Sequence, residues 1–372
     1  MKRETARMTP DPLYNPETPW NRLPGLPPKV DIEPPEVLRA CIAARAELAR
    51  VGALGEGLPN QAILVDAIPL QEARSSSEIE NIVTTGDALY QALASGDEDS
   101  QMDPNAKEVL RYREALWAGL GSLQKRKTLD IALFESICSL IRGMDVQVRR
   151  DEVSIGAPDI GLVVYTPPGG EHVGRLLSNL EGFLNDDSDG VDPLVKMAVA
   201  HYQFEAIHPF MDGNGRTGRI LNILYLCRRG LLQSPTIYLS RYFIENRADY
   251  YRYLREVTEA GNWTQWILYM LAAVKETSRD TIARIEKMRD LADEMAERAK
   301  GKTRAAEREG FMEILFKWPY CKIGIMEREL PCSRITAKRY LDDMVTLGLL
   351  ARIKIGRVYY YVNERLADLL GE

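Results

Sequence analysis

The densest group of residues able to do chemistry is the run His-Pro-Phe-Met-Asp-Gly-Asn-Gly-Arg-Thr-Gly-Arg, from His208 to Arg219. Gly213 and Gly215 flank Asn214 directly before a stretch with helical spacing. Glycines at such a place let backbone amides approach a ligand, and the start of a helix adds unpaired N–H donors and partial positive charge. These features favour a phosphate-binding site.

Charged and titratable side chains accompany these glycines. Arg216 and Arg219 lie in the first turns of the following helix, where a cation opposes the helix dipole unless an anion is bound. Asp212 is a hard oxygen ligand suited to Mg²⁺ beside phosphates, and His208 could take a proton from a hydroxyl at neutral pH. Gly-Asn-Gly alone is usually a turn, but the co-occurrence of base, acid, amides and arginines indicates a nucleotide-phosphate site.

Helices must position this run, because apolar residues recur at helical spacing through most of the chain. Such stretches cover residues 36–50, 60–82, 103–123, 129–142, 175–185, 193–206, 216–230 and 240–278. Residues 155–173 are rich in Gly, Pro and β-branched residues and predict a short hairpin. Residues 1–35 are rich in proline and predict an extended arm that packs on the body. The predicted fold class is mainly α.

Residues 307–362 differ from the preceding chain because short helical stretches are followed by β-rich ones. Helices are predicted over 307–317, 323–329 and 333–347, and strands over 349–355 and 358–362 with a turn at Gly356-Arg357. Three helices followed by a hairpin are typical of a winged helix-turn-helix domain. We therefore expect an N-terminal arm and helical region over 1–105, a core over 106–280, a linker helix over 281–305 and the winged helix over 306–372.

Composition narrows the class of protein. Of 372 residues, 45% are apolar and 27% charged, as in an ordinary soluble globular protein, and the net charge of −6 argues against a surface built wholly for nucleic acid. Five scattered cysteines without a Cys-x-x-Cys pair and three histidines argue against a disulfide frame or a zinc site. We expect a cytoplasmic protein with no membrane segment. A P-loop is absent from the sequence.

The run from His208 to Arg219 matches at every position the signature of the Fic family, His-x-Phe-x-(Asp/Glu)-Gly-Asn-Gly-Arg-x-x-Arg. The segments 202–207 and 238–242 and the upstream hairpin are also similar to Fic proteins. The resemblance covers roughly residues 15–280, and a C-terminal winged helix is common in the same subgroup. It implies a Fic-type helical bundle in which the hairpin is a flap.

The resemblance also implies an activity, the transfer of AMP from ATP to a Tyr, Thr or Ser hydroxyl of a target protein, or of the enzyme itself, with release of pyrophosphate. His208 would be the general base, and Asp212 would hold Mg²⁺ against the α- and β-phosphates. Arg216 would contact the phosphates and Arg219 the γ-phosphate. The full set implied to bind nucleotide within the run is Gly213, Asn214, Gly215, Arg216, Thr217, Gly218 and Arg219.

Two further groups follow from the same resemblance. Tyr242 and Asn246 match positions where the family contacts the nucleoside, although such residues are as often packing residues or caps. The flap would offer an open strand edge to the backbone of a target peptide. Its implied docking residues are Val163, Val164, Tyr165 and Thr166.

Residues 76–81 match the inhibitory pattern of the family, (Ser/Thr)-x-x-x-Glu-(Gly/Asn), with Ser76, Glu80 and Asn81 at the defining positions. A carboxylate that reached Arg219 would occupy the fork meant for the γ-phosphate and repel the tail of ATP. Ser-x-x-Glu is also a capping box at the start of a helix. Upstream of a matching run, we interpret it as an inhibitory helix within the same chain.

Several alternatives remain open at the level of sequence. Fic folds also transfer phosphate, UMP or phosphocholine, and Glu80 could position a water that removes AMP. The winged helix could bind DNA through Arg334, Lys338 and Arg339 of its recognition helix and Arg352, Lys354 and Arg357 of its wing. Asp342 and Asp343 on the same helix favour docking of a protein partner or a homodimer instead.

Overall fold

The computed structural model describes residues 13–56, 62–95, 103–157, 161–355 and 358–371. The expected turn at Gly356-Arg357 and the first prolines of the arm lie outside the described residues. The elements are α1 (Pro35–Glu56), α2 (Ala62–Ile79), α3 (Gly86–Ser95), α4 (Pro104–Arg126), α5 (Ile131–Arg142), β1 (Ile155–Ala157), β2 (Leu162–Tyr165), α6 (Gly170–Asn185), α7 (Pro193–Ile207), α8 (Asn214–Arg228), α9 (Leu239–Glu245), α10 (Arg247–Ala260), α11 (Trp263–Ala299), α12 (Phe311–Lys317), β3 (Tyr320–Cys321), α13 (Ile323–Glu329), α14 (Arg334–Thr346), β4 (Ala351–Ile355), β5 (Val358–Val362) and α15 (Glu364–Gly371). The prediction of a mainly α protein with small antiparallel sheets is confirmed.

Local signals fix where the central helices begin. Asp103 and Asp192 cap α4 and α7 by accepting a hydrogen bond from the backbone N–H two residues on, and a proline follows each cap. Asp130 caps α5 in a similar way by accepting from the N–H of Leu133. Gly143 ends α5 in the left-handed region, where a residue without a side chain is favoured.

The centre of the fold is the packed pair α7 and α8, both buried along nearly their whole length. A helix that is apolar on every side needs neighbours all around it. Here α4, α5, α6 and α11 supply them. The arm also covers this body, because Trp20, Leu23 and Leu26 are buried in the same core. The loop between α7 and α8 carries the run from His208, so the candidate site lies between two helices that the core buries along nearly their whole length.

The helix α11 continues without a break from the core to Ala299, so the expected boundary at residue 280 lies inside it. The residues after it form what we call the C-terminal body, residues 311–371. Its three strands form an antiparallel sheet in the order β3-β5-β4, with Tyr320 opposite Val362 and Lys354 opposite Tyr359. The three helices and the hairpin that the sequence predicts are present as α12, α13, α14, β4 and β5, whereas β3 and α15 were not predicted. Within the described ranges, none of the helices combines the length and apolar character that a membrane span requires.

Candidate active site

His208 ends α7 in the left-handed region at φ 50°, which turns the chain sharply toward α8. The loop that follows is closed by Asn214, whose side chain donates to the carbonyl of Phe210 and accepts from its N–H, both at 2.8 Å. Gly213 precedes α8 with φ 88°, a conformation that costs other residues more. Asn214 therefore shapes the loop with its side chain and contributes its backbone to the start of α8.

A buried arginine that the sequence did not single out supports this loop. Arg149 is 4% exposed, and its guanidinium donates to the carbonyls of Ile207, His208, Pro168 and Asp151 at 2.7 to 3.1 Å. Its own N–H donates to the carbonyl of Pro209. One side chain thus joins the end of α7, the histidine and the segment after the hairpin. Its signal in the sequence is weak, because it stands in a loop with no motif of its own.

The electrostatics around His208 keep its ring neutral. Burial and the charge of Arg149 lower the pKa of His208 to about 4, although a backbone hydrogen bond with Glu205 and the charges of Glu80 and Asp212 oppose this shift. A neutral imidazole has a free lone pair at pH 7 and is able to accept a proton. The general-base role of His208 stays a prediction, which its position and its lowered pKa permit.

Asp212 and Arg216 are both held in ion pairs. Asp212, with a side chain 57% exposed, pairs with Arg142. Arg216 is almost fully buried and pairs with Glu108 of α4, with Asp212 3.9 Å away. Both Arg142 and Glu108 escaped the sequence reasoning, because they lie on other helices and belong to no motif. A buried arginine at the start of α8 gives the loop a fixed positive charge.

The residues present fit an Mg²⁺ ion that arrives with phosphates. Among the described residues, no group of three His, Cys, Asp or Glu side chains could hold a metal alone. Mg²⁺ commonly takes one or two protein carboxylates and completes its shell with phosphate oxygens and water. Asp212 is one exposed carboxylate of that kind. It pairs with Arg142, and an entering cation would have to replace Arg142 as its partner.

Arg219 is held by hydrogen bonds to residues at the end of α2. It is 2% exposed, and its Nε donates to the Ser76 hydroxyl at 2.8 Å while Nη2 donates to the Ser76 carbonyl at 2.9 Å and to Oε1 of Glu80 at 2.8 Å. Burial raises the pKa of Glu80, but the charge and hydrogen bond of Arg219 outweigh it and hold that pKa below its usual range. The structure therefore brings together Ser76, Glu80 and Arg219.

The end of α2 explains why this contact is possible. Ser76 and Glu80 are four residues apart, one helical turn, so both side chains point to the same face. Asn81 follows at φ 62°, a left-handed conformation that Asn tolerates better than most residues. Gly215 faces Glu80 closely, since a Cβ there would lie 2.4 Å from Oε1 of Glu80. The absence of a side chain at 215 leaves room for the carboxylate.

A second buried carboxylate fastens α2 to the core. Glu72 is fully buried and accepts from the Tyr112 hydroxyl of α4 at 2.9 Å and from the backbone N–H of Ser240 at 3.0 Å, and also from the Ser240 hydroxyl. Burial raises the pKa of this carboxyl, and the hydrogen bonds oppose that shift. Glu72 therefore ties α2 to α4 and to the first turn of α9.

The remaining residues of the run are buried in the interior of α8. Thr217 is buried, and Gly218 packs against α7, where a Cβ would lie 2.4 Å from Oε1 of Glu205. Glu205 also escaped the sequence reasoning, and burial raises its pKa to about 7. Gly218 thus allows the two central helices to approach closely.

Tyr242 lies in the middle of the short helix α9, and Asn246 follows its last residue. The Tyr242 ring packs on Tyr269, with ring centroids 5.3 Å apart, and the amide of Asn246 donates to the Tyr242 carbonyl at 3.0 Å. The neighbouring Arg247 donates to the Asn81 side chain at 3.4 Å. The junction of α9 and α10 therefore borders the end of α2, and both predicted residues make packing or capping contacts.

The hairpin β1–β2 carries the predicted docking residues. Val163 and Val164 lie in β2, but the Val164 carbonyl accepts from the Tyr14 hydroxyl at 3.3 Å. The Tyr165 hydroxyl donates to the Ala206 carbonyl at 2.8 Å, and Thr166, beyond the strand, donates to the Pro16 carbonyl at 2.6 Å. The arm thus borders the outer edge of the hairpin, where a target strand would have to add.

Together the fold and the site define a helical protein of the Fic type, with a histidine-bearing loop at the start of a buried helix. Residues 38–121 match the Fic/DOC family N-terminal domain, and residues 124–226 match the Fic/DOC family. Residues 291–366 match the C-terminal domain of SoFic-like protein adenylyltransferases. The chain belongs to the Fic/DOC family.

Relatives agree with this assignment. Protein adenylyltransferase fic-1 of Caenorhabditis elegans is 34% identical over 125 residues, 33% of this chain and 22% of that protein. Protein adenylyltransferase Fic of Culex quinquefasciatus is 36% identical over 132 residues, 35% of this chain and 24% of that protein. The chain thus spans less than a quarter of the length of these curated relatives.

Solved structures share the fold. A Fic family protein from Desulfovibrio desulfuricans G20 has a TM-score of 0.58 at 20% identity, over 89% of this chain and 96% of that one. Fic-1 of C. elegans has a TM-score of 0.52 at 22% identity, over 68% of this chain and 72% of that one.

Proposed function

We propose that this protein is a protein adenylyltransferase that moves AMP from ATP to a hydroxyl group of a target protein. The observation that carries the proposal is the placement of one partly buried histidine, at the end of α7, beside a helix start that holds two buried arginines. The names of the relatives, protein adenylyltransferases, support the same activity.

In this reaction the protein accepts one proton and stabilises charge, and it forms no covalent intermediate. The hydroxyl oxygen of the target, a Tyr, Thr or Ser, forms a bond to the α-phosphorus while the bond from that phosphorus to pyrophosphate breaks. His208 accepts the hydroxyl proton and later releases it to solvent. The amides at the start of α8 and the guanidinium of Arg216 stabilise the charge that builds on the phosphate oxygens. When bound at Asp212, Mg²⁺ supplies further neutralisation of the phosphates.

We also propose that Glu80 restrains the enzyme at rest. Arg219 is the group that would meet the γ-phosphate, and Glu80 and Ser76 hold it. A phosphate tail must displace this carboxylate or bind in a pose unsuited to in-line attack. The expected resting activity is therefore low, and replacement of Glu80 raises it.

The test is labelling with two forms of ATP, one tagged on the α-phosphate and one on the γ-phosphate. Glu80→Gly should label target proteins or itself from the α-tagged ATP alone, and His208→Ala in the same background should abolish labelling. His172→Ala is the matched control, because this partly exposed histidine lies on α6 and makes none of the site contacts described here. Transfer from γ-tagged ATP would instead assign a kinase activity, and no transfer with Glu80→Gly would refute the proposal.

A second candidate function, DNA binding by the C-terminal body, gains from one observation. Asp342 accepts from the Tyr361 hydroxyl at 2.7 Å and pairs with Lys338, and Asp343 accepts from the Thr303 hydroxyl at 2.6 Å; both keep their negative charge, so the favourable observation is a different one. The exposed start of α14 then presents Ile335, 84% exposed, to a partner. An apolar side chain there could contact a thymine methyl in a major groove.

A gel shift separates DNA from a protein partner. The full chain should retard a mixed-sequence duplex with an affinity that falls steeply with salt, and Arg339→Glu should remove the shift. Lys300→Glu, an equal charge change outside α14, is the control. Retention of the shift in Arg339→Glu would exclude α14 as the contact, and no shift at low salt would leave the docking of a protein partner as the better interpretation.

A further inference from the structure

The C-terminal body packs on α3 and also, through α12, on α2, the helix that contains Ser76 and precedes Glu80. Tyr320 of β3 is 5% exposed, and its ring stacks on Tyr90 of α3 with centroids 5.8 Å apart and planes 7° from parallel. The Tyr320 hydroxyl also donates to Asp87 in the first turn of α3. We call this pair of interactions the Tyr320 contact. It joins residues more than two hundred positions apart in the chain.

The Tyr320 contact is connected to α2 by a buried hydrogen bond. The Tyr90 hydroxyl accepts from the amide of Gln71 at 3.0 Å, and both side chains are buried. Gln71 precedes Glu72, which fastens α2 to the core, and Glu80 follows directly after the same helix. The only proline of α2, Pro69, lies before Gln71. An unbroken stretch of helix therefore connects Gln71 to the residues that hold Arg219.

A second packed surface supports the first. The helix α12 of the C-terminal body lies against α2 itself, and α15 lies against α11. There the guanidinium of Arg284 donates to the Leu369 carbonyl at 2.6 Å. The C-terminal body thus contacts α2 directly through α12 and indirectly through α3.

We infer that the C-terminal body acts as a latch on the inhibitory helix: while it is docked through the Tyr320 contact, α2 holds Glu80 on Arg219, and its displacement releases the site. The inference rests on the proposed restraint by Glu80 and adds the part of the chain that controls it. The contact lies at β3, one edge of the three-stranded sheet, and β4 with Arg352 and Lys354 lies at the other. A macromolecule bound at α14 and β4 would leave the Tyr320 contact uncovered and could change the position of the body that bears it.

The experiment compares three variants of the full chain. Tyr320→Ala removes the stacked ring and the hydrogen bond, whereas Tyr320→Phe removes the hydrogen bond alone. Tyr359→Ala is the matched control, since Tyr359 lies in the same sheet and is 44% exposed. Each is made with Glu80 present and with Glu80→Gly, and the initial rate of labelling from α-tagged ATP is measured. Circular dichroism and gel filtration verify that each variant folds.

With Glu80 present, Tyr320→Ala should raise the rate about tenfold. A tenfold change corresponds to ~1.4 kcal/mol, within what an aromatic pair and a hydrogen bond to a charged group supply together. Tyr320→Phe should give a smaller rise and Tyr359→Ala none. In the Glu80→Gly background, Tyr320→Ala should add nothing, because the two changes release the same site. A folded Tyr320→Ala as slow as the unmodified chain would overturn the inference, as would an equal rise in both backgrounds.

A second measurement does not depend on activity. Amide hydrogen exchange in residues 70–79 should be faster in Tyr320→Ala than in Tyr359→Ala, because the latch protects α2. If Tyr320→Ala fails to fold, Tyr320→Phe and Asp87→Asn take its place in both assays. If Glu80→Gly gives no labelling while amide exchange in α2 is faster in the Tyr320 variant, the proposed activity is refuted and the latch is retained. Unchanged amide exchange in the Tyr320 variant would refute the latch.

Discussion

Replacing Glu80 by Gln tests whether the carboxylate occupies the position of the γ-phosphate. The change keeps the length of the side chain and one carbonyl oxygen that can accept from Arg219, but it removes the negative charge. Ser76 continues to accept two hydrogen bonds from the same guanidinium. The variant therefore isolates the charge of Glu80 from the packing of α2.

The structure sets the expected magnitude. The contact joins Oε1 of Glu80 to Nη2 of Arg219 at 2.8 Å, and the Glu80 side chain is 36% exposed while Arg219 is buried. A hydrogen bond to a charged group contributes ~1.5–3 kcal/mol, and solvent screening at this exposure favours the lower end. A loss of ~1.5 kcal/mol corresponds to about a tenfold change in the binding of any ligand that competes with Glu80.

The assay compares two nucleotides that differ by the contested group. Isothermal titration should give a dissociation constant for ATP about tenfold lower in Glu80→Gln than in the unmodified chain. The constant for ADP should change little, since ADP has no γ-phosphate to meet Arg219. Glu78→Gln is the control, because two residues along a helix turn its side chain about 200° away from Glu80.

Two results would refute the reasoning. An equal gain for ADP and ATP would mean that Glu80 repels nucleotides by its charge alone and does not occupy the γ-phosphate position. No gain for either nucleotide would mean that the ion pair is a stability feature of α2, which an unchanged labelling rate in Glu80→Gln would support.

Other consequences can be measured separately. Arg142→Gln removes the ion-pair partner of Asp212 and should lower the half-saturating Mg²⁺ concentration a few-fold at most, because exposed ion pairs contribute below about 1 kcal/mol. A rise in the half-saturating Mg²⁺ concentration would exclude Asp212 as the ligand. A lysine at position 149 cannot reproduce the four carbonyl contacts of Arg149, so Arg149→Lys should lower the free energy of unfolding by about 2–4 kcal/mol and should also lower kcat. Denaturant titration measures the free energy of unfolding, and an unchanged kcat would contradict the positioning role. Burial lowers the pKa of His201 to about 3, so the unfolded chain binds more protons than the folded one between that pH and 6.5, and stability falls as pH falls. His201→Phe should therefore reduce the slope of unfolding free energy against pH, from pH 6 to 4, by at most about 1.4 kcal/mol per unit, and an unchanged slope would contradict the buried neutral state.

Most of the fold follows from local patterns. Helical spacing and the caps Asp103, Asp130 and Asp192 mark helices that the structure has within a few residues. The central pair α7 and α8 is harder to recognise from periodicity, because helices buried on every side lose the alternation of apolar and polar faces. Helices are predicted on both sides of residue 280, but their continuity in α11, where Ile285, Met288 and Met295 are buried, is not.

The site divides in the same way between local and long-range information. The residues from His208 to Arg219 form one contiguous segment, so a nucleotide-phosphate site can be predicted there from the sequence. Glu108, Arg142 and Arg149 come from three other segments, and only tertiary packing brings them to the loop. A single sequence offers no sign that an isolated arginine will be buried against four carbonyls. Such residues need the fold before they can be found.

The burial of Arg219 explains why a restraint and an active site can share one group. A buried guanidinium without an anion would carry an uncompensated charge, which costs several kcal/mol. Glu80 compensates that charge, so the contact that we propose to block the γ-phosphate also stabilises the folded site. Loss of Glu80 should then leave a less stable protein that binds ATP more tightly, and ATP should restore more stability to Glu80→Gly than to the unmodified chain. A thermal-shift series with ATP and ADP on both proteins measures this difference, and an equal shift in the two proteins would show that Arg219 is not the group exchanged between Glu80 and ATP.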